Sequence, residues 1–166
     1  LMDRVQGLKV VSNFGVGVDH IDLAAAAARG IPVGHTPGVL DEAVADMGMA
    51  LLLASARQLV AGDRFARAPD TERFSSEAFL GREVHHGKLG IVGLGRIGGQ
   101  VARRARAFDM EIRYFDPVRR SDLEDQLGVI QCDLEDLLEQ SEFVILTVPL
   151  VPATRGILNE ETLRRT

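Results

Sequence analysis

The chain has 166 residues, 46% of them apolar and 26% charged, with a formal net charge of −5. That length suits about one domain of ordinary size, and the balance is that of a globular protein with a real core, which excludes a disordered or fibrous chain. The mild acidity leaves no basic stripe for nucleic acid, so no nucleic-acid partner is expected.

Cys132 is the single cysteine, so no disulfide forms within the chain. It reads as a small apolar residue near a strand end, with a nucleophile or redox switch as the other reading. No apolar run reaches the ~18 residues of a membrane helix. The opening Leu1-Met2-Asp3-Arg4 lacks the apolar stretch of a signal peptide. A cytoplasmic protein without a membrane partner is therefore expected. Both ends read as cut: Met stands second, and Thr166 interrupts a helical pattern that begins at Asn159-Glu160-Glu161.

In chain order, residues 8–12 form a β-branched strand, followed by a loop at 13–20 with Gly15 and Gly17. Asp22 is placed to cap an alanine-rich helix over 23–29 that Gly30 ends, and 31–35 reads as a second strand. Asp41 is placed to cap a long helix running to about residue 60. Its small residues Ala43, Ala45, Gly48, Ala50, Ala54 and Ala56 permit close packing, either as an ordinary buried helix or as a connector or dimer contact. Residues 62–87 carry charges, Pro69 and no clear period, which predicts a surface excursion with one short helix.

From Lys88 the pattern becomes regular. Strands are predicted at 89–92, 111–115, 129–131 and 142–148, with helices at 96–108, 123–127 and 134–139 between them. Strand and helix alternating at this spacing imply parallel pairing through right-handed crossovers. The fold class is α/β, an incomplete Rossmann-type parallel sheet. With strand order 3-2-1-4-5-6 the strand at 142–148 lacks outer neighbours, and an apolar edge of that kind invites aggregation. Poor solubility of the isolated chain is expected.

Gly93-Leu94-Gly95-Arg96-Ile97-Gly98 matches G-x-G-x-x-G, after a strand and at the start of a helix, which is the context the chemistry requires. Gly93 permits the tight turn, Gly95 lets the backbone approach a pyrophosphate, and Gly98 lets helix and strand pack closely. The helix N-terminus then meets the phosphate charge, with Arg96 adding a second positive group. Asp116 lies 23 residues after Gly93, at the end of the next strand. An acid there accepts hydrogen bonds from the ribose hydroxyls and repels a 2′-phosphate, which favours NAD. Arg119 and Arg120 lie just beyond and are able to hold that phosphate, so NADP stays open.

These residues resemble the D-isomer-specific 2-hydroxyacid dehydrogenases, in wording closest to the glyoxylate and hydroxypyruvate reductase branch. Residues 88–98 are similar to that family's cofactor loop and Phe115-Asp116-Pro117 to its NAD-selecting strand end. Residues 148–154 resemble the segment beside the nicotinamide, 13–22 the loop closing the substrate domain, and 39–57 the helix crossing between domains. The resemblance implies that residues 1–40 are the end of a flavodoxin-like substrate domain and 41–166 a truncated NAD(P)-binding domain. It further implies that the amides of Val16 and Gly17 hold the substrate carboxylate, with Arg96 and Ile97 on the pyrophosphate. Val148 and Pro149 then line the ribose and nicotinamide, Val44 touches the nicotinamide, and a homodimer forms around the 41–60 helix.

The family's arginine, glutamate and histidine have no counterpart here; the resemblance puts them beyond Thr166. His20, His35, His85 and His86 read as structural or exposed, and Arg155 lies in the wrong motif. The implied activity is hydride transfer between NAD(P)H and a small 2-oxoacid such as glyoxylate or hydroxypyruvate, without turnover by this chain alone. The alternative is a non-catalytic NAD(P)-binding or dimer-interfering fragment.

Overall fold

The computed structural model describes residue 2, residues 4–68 and residues 79–164. Strands Val11–Ser12 (β1) and Val33–Gly34 (β2) pair in parallel at two positions only. Both are shorter than the β-branched runs around them. Pro32 has no N–H to donate and only accepts, from Val11 N at 3.0 Å; beyond Asn13, whose N–H meets Gly34 O at 2.8 Å, the chain turns into the glycine loop. Between them lies helix Leu23–Ala28 (α1), capped as its sequence suggests: the Asp22 carboxylate accepts from Ala25 N at 2.8 Å.

The long helix differs from expectation at both ends. Helix Asp41–Ala56 (α2) is capped by Leu40, whose side chain makes no capping bond. Asp41 is its first helical residue, where the free N–H groups still favour an acid, and its carboxylate is turned towards Arg96. The helix stops after Ala56, and a second one, Leu59–Arg67 (α3), leaves at 61°. The returning chain ends it: Arg82 N donates to Ala56 O at 2.8 Å, and Gln58, in the left-handed region at φ 52°, donates its side-chain amide to Leu80 O. Only a glycine fits at 81, because an added Cβ would lie 2.2 Å from Ala56 O. Pro69 and the middle of the predicted excursion, 69–78, lie outside the described residues.

Strands Lys88–Val92 (β3), Glu111–Phe115 (β4), Ile130–Gln131 (β5) and Phe143–Leu146 (β6) form one parallel sheet in the order β5-β4-β3-β6. Helices Arg96–Arg106 (α4), Ser121–Leu127 (α5) and Leu134–Gln140 (α6) make the crossovers. This is the Rossmann-type order that the alternation implied, with β6 at an edge among the described residues. α4 ends two residues early at Arg106, where Asp109 (φ 51°) turns the chain back towards β4. Helix Glu160–Leu163 (α7) follows under an Asn159–Thr162 capping box.

The core explains why β3 reads as a continuous apolar run: its residues are buried on both faces. Leu89 and Ile91 pack with Ala45, Met49 and Leu52 of α2 and with Val101 and Ala105 of α4. Val92 packs with Leu137 and Leu138 of α6 on the other side. Of the small residues of α2, Ala45 and Ala56 are buried in this core and Gly48 lies against Val101 of α4, whereas Ala43 and Ala50 are exposed. No single helix among the described residues is long and apolar enough to cross a membrane.

Candidate functional site

The glycine turn sits where β3 ends. Gly93 has φ +95°, and a Cβ there would lie 2.7 Å from Val148 Cγ1, so the turn is pressed against the chain leaving β6. Thr147 fastens the contact by donating its hydroxyl to Gly93 O at 2.5 Å. Gly95 caps α4 without a side-chain hydrogen bond, which leaves the first-turn N–H groups available to an anion. It also faces open space, with no atom within 4 Å of an added Cβ. A helix N-terminus with no capping side chain fits a dinucleotide pyrophosphate.

Asp116 is half-buried behind that turn. Its carboxylate accepts from Leu94 N and from Val118 N, each at 2.9 Å. These bonds lock the β4 end to the glycine loop and still leave acceptor capacity for ribose hydroxyls. The two arginines diverge. Arg119 forks onto Glu124, with Nη2 2.8 Å and Nε 3.1 Å from Oε2. Arg120, instead, donates Nη1 to Leu94 O at 2.7 Å and pairs with Asp122, so it is Arg120 that lies against the loop.

Sequence reasoning missed the group that positions this segment. Tyr114, buried in the sheet, donates its hydroxyl to Glu124 at 2.7 Å and accepts from Arg120 N at 2.9 Å. Burial pushes the Tyr114 phenol up, while the Arg119 fork first and the Tyr114 hydroxyl second hold Glu124 below the usual carboxylate range. A tyrosine that alternation points into the core, followed by an acid on the next helix, was the available signal.

A cleft of about 440 Å³ joins the two halves of the chain. Val16 and Gly17 reach it from the first loop, Arg96 and Ile97 from α4, Val148 and Pro149 from the end of β6, and Asp41 and Val44 from α2. Seven of the site residues singled out in the sequence, Val44 among them, thus meet in one place. Gly93, Gly95, Gly98, Asp116 and Arg119 belong to the turn and to the end of β4 beside it. In the first loop, the carbonyls of Gly15 and Gly17 accept from the Asn13 amide, and that of Val16 from His35 Nδ1. Among the described residues no hydrogen bond takes the amides of Val16 or Gly17, which are the groups a carboxylate would need. Asp41, unremarked as a site residue in the sequence, meets Arg96 Nε at 3.3 Å inside the cleft.

His20, His35, His85 and His86 are all exposed, and none lines the cleft. Arg155 is exposed in a turn after β6. Cys132 packs beside Leu137 and Leu138, and burial raises its thiol pKa, the behaviour of a packing residue rather than a thiolate.

Residues 49–166 match the D-isomer specific 2-hydroxyacid dehydrogenase, NAD binding domain family. The chain is 48% identical to a glyoxylate reductase of Korarchaeum cryptofilum, over 95% of this chain and 48% of that protein. It is 45% identical to a glyoxylate reductase of Pyrococcus horikoshii, over 99% and 50%. Among solved structures, a D-lactate dehydrogenase from Aquifex aeolicus, complexed with NAD and lactic acid, superposes with a TM-score of 0.87 at 32% identity, over 99% of this chain and 48% of that one. A Thermus thermophilus protein superposes with a TM-score of 0.88 at 46% identity, over 97% and 50%. The chain spans about half the length of these relatives. The chain therefore belongs to the D-isomer-specific 2-hydroxyacid dehydrogenase family and carries its NAD-binding domain.

Proposed function

We propose that this chain is the cofactor-binding half of an oxidoreductase that interconverts a small 2-oxoacid, glyoxylate or hydroxypyruvate, and its 2-hydroxyacid. The observation that carries the reading is the cleft, which the Val16-Gly17 loop, its amides free of hydrogen bonds among the described residues, lines together with Arg96, Ile97 and the Val148-Pro149 segment. The nicotinamide, when bound, supplies or takes the hydride. The chain's own residues do the rest. The first-turn amides at Arg96 and Ile97 hold the pyrophosphate, and Gly93, Gly95 and Gly98 make the close approach possible. Asp116 takes the ribose hydroxyls, Val148 and Pro149 line the nicotinamide side, and Val16 and Gly17 orient the substrate carboxylate. No histidine lines the cleft, so binding and orientation rather than proton transfer are the contribution of these residues.

The Asp116 carboxylate favours NAD, while Arg120 against Leu94 O, with Arg119 beyond it, gives a 2′-phosphate cationic partners. The same reading divides the chain into a substrate-domain end at 1–40 and a cofactor domain at 41–166, and it implies a cytoplasmic homodimer in the protein that contains both.

Fluorescence titration with NADH and NADPH tests it. Asp116→Ala removes a charge-assisted acceptor worth about 1.5–3 kcal/mol, so NADH should bind roughly 10- to 100-fold more weakly. NADPH should bind no worse than before. A wild-type chain that binds neither nucleotide would sink the proposal, and an unchanged preference in the variant would remove Asp116 from it.

A further inference from the structure

The end of the sheet remote from the cleft carries a cluster that cofactor binding does not use. The segment leading into β3, residues 84–87, lies against the turn between α4 and β4 at 107–110. His85, His86 and Asp109 each present one ligand atom there, all within 4.8 Å of one another and all on exposed side chains. The two imidazole rings lie 3.9 Å apart between centroids.

One carbonyl organises the group. Phe108 O accepts from His86 N and from His85 Nδ1, each at 3.0 Å. A carbonyl only accepts, so Nδ1 of His85 carries the proton and its free lone pair is on Nε2. That is how metal-ligating histidines are oriented, with the second ring nitrogen donating to a backbone carbonyl. His86 at φ 62° and Asp109 at φ 51° both take the left-handed backbone, which side chains of their type tolerate better than most. The two loops are thereby turned face to face.

We propose that His85, His86 and Asp109 form a surface site for a zinc-class divalent ion, with water completing the coordination. Two neutral imidazole nitrogens and one carboxylate oxygen are a donor set that Zn²⁺ accepts at about 2.0–2.2 Å each. Donors around one tetrahedral ion stand roughly 3.4 Å apart, so the exposed side chains rotate inward to close the gap, and Asp109, whose Oδ2 lies 3.9 Å from His85 Nδ1, swings towards the Nε2 side to join them. The ion would tie the entry of β3 to the turn before β4 and brace the nucleotide-binding sheet from the end opposite its glycine turn.

Calorimetric titration of the chelator-treated chain with Zn²⁺, paired with the NMR signals of the four histidine rings, tests the site. One equivalent should bind with micromolar affinity, shifting the rings of His85 and His86 and leaving His20 and His35 unmoved. His85→Gln and Asp109→Asn, which suit the local backbone, should each weaken binding at least tenfold, a loss of the size seen when metal-site partners are removed. Zn²⁺ should raise the melting temperature of the wild type and not of either variant. Affinity weaker than roughly 1 mM, beyond the range of even loosely built metal sites, equal shifts at all four rings, or variants that bind like wild type would each overturn the proposal.

Discussion

Adding one methyl group at Gly98 separates the packing role of the glycine turn from its binding role. In the interior of a helix, alanine is ordinarily favoured over glycine by about 1 kcal/mol. At this position the new Cβ would stand 2.2 Å from Gly93 O and 2.9 Å from Thr147 Oγ1. Carbon and oxygen approach no closer than roughly 3.3 Å without penalty, so the carbonyl must retreat by about 1 Å. It is backbone, and Gly93 N is bonded to Phe115 O at 2.8 Å while Thr147 grips the carbonyl itself, so it has no rotamer to escape into. Overpacking costs about 1–3 kcal/mol, and a backbone clash belongs at the upper end; less the helical gain, Gly98→Ala should destabilise by about 2 kcal/mol. For a chain of this size that is a fall of roughly 4–8 °C in Tm. Gly95→Ala meets nothing within 4 Å, so its Tm should stay with wild type. Its methyl group would stand where the backbone must approach a pyrophosphate, and NADH affinity should drop about tenfold or more. Gly99→Ala is the control, since its Cβ meets only the movable Leu123 Cδ1 at 3.2 Å. Melting by circular dichroism and NADH titration on the same samples decide the matter. Gly98→Ala melting with wild type, or Gly95→Ala binding NADH undiminished, would refute the assignment.

Two further outcomes follow from the same geometry. Glu124 is held below the usual carboxylate range by Arg119 and Tyr114, so its contribution to stability is present above the unfolded pKa of about 4.3 and is lost as pH falls through the folded value. The stability gap between wild type and Glu124→Gln should therefore be flat near neutrality and close below pH about 4, and denaturant titrations that show a constant gap contradict the network. Met47 (59% exposed) and Leu51 (63% exposed) line a groove between α2 and β6. Exposed apolar surface beside an open strand edge favours self-association, so the chain should associate as concentration rises and Met47→Glu with Leu51→Lys should suppress it. A wild type that sediments as a monomer throughout, with a sharp two-state melt, goes against that.

The nucleotide-binding sheet was legible because local and global signals agree there. Strands 89–92 and 111–115 are apolar enough to be recognised alone, and the glycine spacing states what must happen between them. The first loop was legible only through its motif: nothing in residues 13–20 reveals that Asn13 and His35 take up its carbonyls. The break after Ala56 was hidden because its cause, a chain crossing at Gly81, is remote in sequence. Asp41 misled for a different reason. Aspartate suits both the cap and the first turn of a helix, and the choice between them is made by Arg96, more than fifty residues on. Arg119 and Arg120 are adjacent and chemically equal in the sequence. Glu124 captures the first, and the carbonyl of Leu94 is left to the second.

Two of these long-range contacts, at Asp41 and at Ala56, fall on α2, the helix that joins the two parts of the site. The Val16-Gly17 loop and the glycine turn adjoin different sheets, so their spacing depends on whatever spans the two. α2 starts beside the first loop and lies along α4, with Ala45, Met49 and Leu52 packed in one core with Val101 and Ala105. Its polar side adds a second attachment, because Arg104 of α4 reaches Glu42 at 2.7 Å and Asp46 at 2.6 Å, bonds that raise the guanidinium pKa. Asp41 makes the third, and this one is inside the cleft. By pairing with Arg96 it offsets the side-chain charge that a pyrophosphate would otherwise meet. The attraction then falls to the uncapped amides of α4, whose direction is fixed by the helix itself. An anion held by such amides is placed by the backbone, and the backbone of α4 is placed by α2. In the proposed reading, the distance from the pyrophosphate to the Val16-Gly17 loop is thus set by helix packing, and residues remote from the cleft, such as Ala45 and Arg104, share in determining it.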